Sequence, residues 1–131
     1  MENELIIGKK NLLSLISETS EESLLKPLSH EILLFDSFVA GTTHIKDEKV
    51  FEEMKEGDKL VLLREPENRF DENAIRIEDE KKRKMGYIPE KDNIVFARLM
   101  DAGKYLIARI DRIEMKGSFR QIAISIYLVD F

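Results

Sequence analysis

The C-terminal stretch constrains the fold most. Residues 104–114 (KYLIARIDRIE) and 118–130 (SFRQIAISIYLVD) are dense in strand-forming side chains, and Lys116-Gly117 stands between them. That pattern reads as two long antiparallel strands joined by a hairpin. Along the second, Ile122, Ile124, Ile126 and Leu128 fall on one face, and Gln121, Ala123, Ser125 and Tyr127 on the other, because side chains alternate across a strand. One face is expected to be core and the other small or polar.

The chain before this hairpin supplies more short elements. Residues 32–41 (ILLFDSFVAG) form a buried-type strand run closed by Gly41. Residues 46–58 predict a short helix with Val50, Phe51 and Met54 on one face and Gly57 at its end. Strands are expected over 58–64, 73–78 and 85–89, the last stopped by Pro89, with a charged turn over 78–84. The clearest helix spans 90–103: Val95, Phe96, Leu99 and Met100 share a face, and Gly103 sits where a C-cap glycine belongs. About six strands and two helices in roughly 100 residues make a mainly β, α+β domain. A small curled sheet or partly open barrel, with helices plugging or flanking it, follows. Residues 1–31 read as a separable N-terminal helical extension and linker, with an amphipathic segment at 5–16, and residues 32–131 as the β domain.

Composition excludes several function classes. The chain of 131 residues has no Cys and only two His, His30 and His44, so disulfides, Cys-based zinc sites and His-rich metal sites are out. No metal or cofactor is expected. No apolar run reaches the length of a membrane span, and residues 1–16 lack a small-residue cleavage site, so a cytoplasmic setting is expected. The net charge of −5 argues against a whole-face nucleic-acid binder, which depends on many phosphate contacts; a site reading one strand end needs far fewer. No phosphate loop of the Gly-x4-Gly-Lys-Ser/Thr type, metal cluster or nucleophile–base pair is present, so catalysis is not expected.

Residues 64–78 (REPENRFDENAIRIE) set polar, loop-type chemistry directly against the start of a strand. This stretch, followed by Lys84-Met85-Gly86-Tyr87-Ile88-Pro89 and an amphipathic helix, resembles the HIRAN domain. The family pattern is roughly an Arg-Glu/Asp-Pro-x-Asn-x-aromatic-Asp-x-Asn-Ala-Ile loop and then Gly-Tyr/His-hydrophobic-Pro/Lys, and Val39-Ala40-Gly41 fits its first strand. The resemblance covers about residues 35–131. It implies a small OB-like, partly open six-stranded barrel that binds single-stranded DNA, particularly a 3′-hydroxyl end, in DNA repair or replication-fork processing. Helicase-like ATPase modules accompany this domain in other members; here a helicase or other repair protein would act in trans.

The resemblance gives roles to particular residues, each beside a plainer reading. Phe70 would stack on a terminal base, or bury under its loop as a core plug. Asp71 would accept a hydrogen bond from a 3′-OH and repel a phosphate; it also suits an Asx turn onto the amide of Asn73. Asn68 would contact the nucleotide or organise the loop, and Asn73 would fix the loop. Tyr87 would stack or hydrogen-bond, or stand as a barrel-rim aromatic. His44, Arg64, Arg69, Lys91 and Arg120 are candidate nucleic-acid contacts, each otherwise a solvated surface residue. Thr43 and Glu90 depart from the basic residues that family members carry. The basic run at 81–84 follows three acids and reads as a solvated turn. Those departures and the negative charge keep a second reading open: a protein-interaction or oligomerisation module with a lapsed DNA pocket, pairing as a homodimer through 5–16.

Overall fold

The computed structural model describes residues 30–130. The helix expected over 4–17 and the self-pairing segment 5–16 lie outside the described residues. Within them the chain runs β1 (His30–Phe38), a 3-10 turn (Thr42–His44), α1 (Lys49–Glu53), β2 (Lys59–Arg64), β3 (Ile75–Glu78), β4 (Lys84–Tyr87), α2 (Glu90–Asp101), β5 (Leu106–Lys116) and β6 (Phe119–Asp130). The expected mainly β domain of six strands and two helices is what forms. Boundaries move by a few residues. The strand expected from 73 begins at Ile75 because the amide of Ala74 turns back onto the carbonyl of Asp71 at 3.1 Å. The first helix stops at Glu53 because Met54 is already extended, with ψ 148°.

The six strands form one sheet in the order β1-β6-β5-β2-β3-β4. The β5–β6 hairpin runs in antiparallel register from Leu106 opposite Leu128 to Lys116 opposite Phe119, with an irregularity between Ile110 and Arg112. Such a bulge bends its strand and increases the twist. The sheet curls until its two ends nearly meet. There the segment after β1 touches β4 through a single bridge: Ala40 N–H to Tyr87 O at 2.8 Å and Tyr87 N–H to Ala40 O at 2.9 Å. Gly86 makes the approach possible, since a Cβ at that position would stand 2.3 Å from the Ala40 carbonyl oxygen. The barrel is therefore partly open, joined at one point.

Ile122, Ile124 and Ile126 of β6 are sealed in the core with Leu60, Ile75, Ile77 and Met85. The opposite face of β6 is not simply solvated: Ala123 and Ser125 are buried too, and the Ser125 hydroxyl lies 2.8 Å from an Asp36 carboxylate oxygen. Helix α2 inserts Phe96 and Ala97. Val95, expected on that face, is 60% exposed. The buried stripe instead runs Asn93–Phe96–Ala97, at i, i+3 and i+4. Three contacts fix the helix: the Ser37 hydroxyl donates to Asp92 at 3.0 Å, the Phe35 and Phe96 rings lie 5.7 Å apart, and Arg64 grips Asp101 at 2.9 Å. Gly103 ends it at φ +93° with its N–H on the Met100 carbonyl, 2.9 Å away, a left-handed position that favours glycine. Among the described residues no helix is long and apolar enough to cross a membrane.

Candidate functional site

The loop between β2 and β3 is held open by its own side chains. The Asn68 side-chain oxygen accepts from the amides of Phe70 (2.9 Å) and Asp71 (3.1 Å), and its amide nitrogen donates to Glu65 at 3.1 Å. Asp71 Oδ1 accepts from the Asn73 amide at 2.8 Å, which is the expected Asx turn. Asp71 Oδ2 accepts from the side chain of Asn93 on α2 at 2.7 Å. The Asn73 side chain, expected to fix the loop, makes no hydrogen bond among the described residues; Asn68 does that work.

This frame leaves the Phe70 ring 95% exposed. A core plug is thereby excluded. A large aromatic held out in water by a rigid loop has lost the burial that normally stabilises it. Phe70 borders a cleft of about 260 Å³ with Asn68, Asp71, Tyr87 and Glu90, floored by Ala40, Gly41, Ala74, Ile88 and Asn93. It is smaller than the roughly 300–1,000 Å³ of clefts that enclose drug-sized ligands, and suits one planar group rather than a folded chain.

Tyr87 enters from β4. Its hydroxyl donates to Glu65 at 2.9 Å, and the Lys84 ammonium lies 4.5 Å from its ring centroid, a cation–π arrangement. Burial would push the Glu65 carboxyl up, but the bonds from Asn68 and Tyr87, with Lys84 and Arg76 nearby, outweigh it and hold the group below its ordinary value of 4.5. A depressed carboxylate stabilises the fold above its unfolded value and loses that contribution as pH falls through its folded value. The stability difference between the parent and Glu65→Gln should therefore be constant well above the ordinary value of 4.5 and shrink as the pH falls below it. Urea denaturation across that range measures it; a gap that widens toward acid would contradict the network.

The other expected contacts divide. Arg69 and Lys91 are exposed and adjoin cleft residues Phe70 and Glu90, and His44 is exposed three residues after the cleft residue Gly41. Arg64 does not line the cleft. Its guanidinium binds the carbonyls of Ala74 (2.7 Å) and Glu72 (3.0 Å) and the Asp101 carboxylate, so it clamps the loop to α2 instead of facing a phosphate. Arg120 is also elsewhere, 4.8 Å from the Phe51 ring centroid and 3.6 Å from Glu48. In the 81–84 run, Lys81 and Arg83 pair with Glu53, and Arg83 with Asp79. They line a separate concavity of about 380 Å³, whose opposed charges satisfy one another. The sequence reading missed Glu65 and Asn93. A polar residue on the apolar stripe of α2 was the available signal for Asn93.

A family model described as the HIRAN domain matches residues 32–129. No curated protein matches the chain. The crystal structure of a protein from Lactobacillus plantarum is similar with a TM-score of 0.73 and 23% identity, covering 79% of this chain and 99% of that one. The crystal structure of the HIRAN domain of human HLTF is similar with a TM-score of 0.62 and 16% identity, covering 77% and 78%. At these identities the two structures speak for the fold.

Proposed function

Because the chain belongs to the HIRAN domain family, small binding domains that are generally DNA-binding modules, we propose that its cleft takes the terminal nucleotide of single-stranded DNA and prefers a free 3′-hydroxyl. The observation that carries this is the Phe70 ring, 95% exposed beside the Asp71 carboxylate in one cleft. The ring stacks on the terminal base, a sequence-tolerant contact because every base has a flat face. The carboxylate accepts from the terminal hydroxyl. Each of its oxygens already takes one protein donor, and a carboxylate has about four acceptor positions, so capacity remains.

The charge of the cleft supports an end-reading role. Among the described residues two acids, Asp71 and Glu90, border it and no Lys or Arg does. A phosphate at that place would meet repulsion, whereas a hydroxyl would meet acceptors. Arg69, Lys91 and His44, exposed beside the cleft, contact the phosphates further along the strand. In this reading residues 32–131 are the binding domain, 1–31 a separate extension, and a repair or replication-fork enzyme such as a helicase acts in trans.

The test compares a linear single strand with the same sequence closed into a circle, by competition for the protein. The linear strand should bind tighter by about tenfold or more, since only it can place a terminal base on the ring. Equal competition would remove the end-reading claim, and failure of both strands to bind would favour a protein-interaction role.

A further inference from the structure

The cleft contains a side chain whose place is unusual for its chemistry. Asn93 is 2% exposed, on the stripe of α2 that otherwise carries Phe96 and Ala97 into the core. Placing an amide among apolar groups costs free energy unless it is hydrogen-bonded. Its partner is Asp71, whose Oδ2 lies 2.7 Å from the Asn93 Nδ2. The two residues are 22 apart in sequence, in different elements, so nothing local to the loop provides this bond.

We propose that Asn93 is the positioning residue for strand-end discrimination: it fixes the Asp71 carboxylate as an oriented acceptor toward the cleft. This rests on the end-reading function proposed above. Three features carry it. The Asn73 amide holds one carboxylate oxygen and Asn93 the other, so rotation of the carboxylate breaks at least one bond. Asn93 is itself immobilised, because α2 is tied to β1 through Ser37 and Phe35 and to β2 through Arg64. Finally, both protein bonds reach the carboxylate as donors, leaving a group that can only accept. A hydroxyl can donate to it; a phosphate, also an acceptor, cannot. Phe70 is held by Asn68 and does not depend on Asn93. Asn68 supports the backbone of both Phe70 and Asp71, whereas Asn93 supports the discriminating carboxylate alone.

That separation gives a readout which a merely structural role would not move. Two oligonucleotides are compared, identical except for a 3′-hydroxyl or a 3′-phosphate, on the full chain and on Asn93→Leu and Asn93→Ala. Leucine fills the space and alanine vacates it; both remove the donor. The 3′-hydroxyl strand should lose roughly tenfold in affinity in both variants, the scale of one hydrogen bond to a charged group. The 3′-phosphate strand should change little, so the ratio of the two affinities moves toward one. Loss for both strands in parallel, in both variants, would make Asn93 a packing residue and overturn the inference, as would an unchanged ratio. If the parent itself shows no discrimination, the end-reading function fails, an outcome distinct from failure of Asn93 alone.

Discussion

Replacing Phe70 by alanine should weaken single-strand binding about 5- to 150-fold, the equivalent of the roughly 1–3 kcal/mol that base–aromatic stacking contributes. The same substitution should leave folding stability within about 0.5 kcal/mol of the parent, because a side chain with almost no buried surface has no packing to lose. The two halves of this expectation separate the readings of the ring. A core aromatic would give the reverse result, with stability lost by about 3–5 kcal/mol. The loop would survive the change, since its frame is Asn68 bonding the amides of residues 70 and 71, and alanine keeps that amide. Phe70→Tyr should retain most of the affinity, because it keeps the stacking face. Fluorescence anisotropy with a labelled strand and thermal denaturation measure the two quantities on one preparation.

The largest expected effect on the fold comes from Gly86→Ala. The new methyl would stand 2.3 Å from the Ala40 carbonyl oxygen and 2.7 Å from a Val39 methyl carbon. The oxygen belongs to the backbone, so no side-chain rotation relieves the clash. Either β4 or the segment after β1 must retreat, and both hydrogen bonds of the Ala40–Tyr87 bridge are weakened or lost. Overpacking costs about 1–3 kcal/mol and each of the two lost bonds about 0.5–1.5, so roughly 2–6 kcal/mol of destabilisation is expected. Binding should fall as well, because Ala40, Gly41 and Tyr87 all border the cleft. A melting temperature unchanged from the parent would show that the barrel edges are not locked at this point.

Much of this architecture is legible in the sequence. The alternation in β6 and the glycine turn at 117 announce the long hairpin, because strand periodicity and turn chemistry are local properties. The Asx turn from Asp71 to Asn73 was legible for the same reason: donor and acceptor lie two residues apart. What was not legible depends on partners distant in sequence. Arg64 reads as a phosphate contact because it flanks the loop; the carboxylate that takes its guanidinium, Asp101, lies 37 residues on. Helical periodicity places Val95 on the core face, yet the buried position belongs to Asn93, whose amide is satisfied by the distant Asp71. The ring at 70 could stack or plug on local grounds, and only the packing around the loop decides.

These long-range contacts make one arrangement. A flat ring stands out in solvent, a carboxylate beside it is tied down on both oxygens, and the bordering charges are negative. The end-reading account depends on this combination more than on overall charge. The most direct measurement is the affinity of the unmodified chain for a single strand ending in a 3′-hydroxyl against the same strand ending in a 3′-phosphate. The account predicts that the hydroxyl end binds tighter by about tenfold or more. Equal affinities, or a preference for the phosphate, would contradict it.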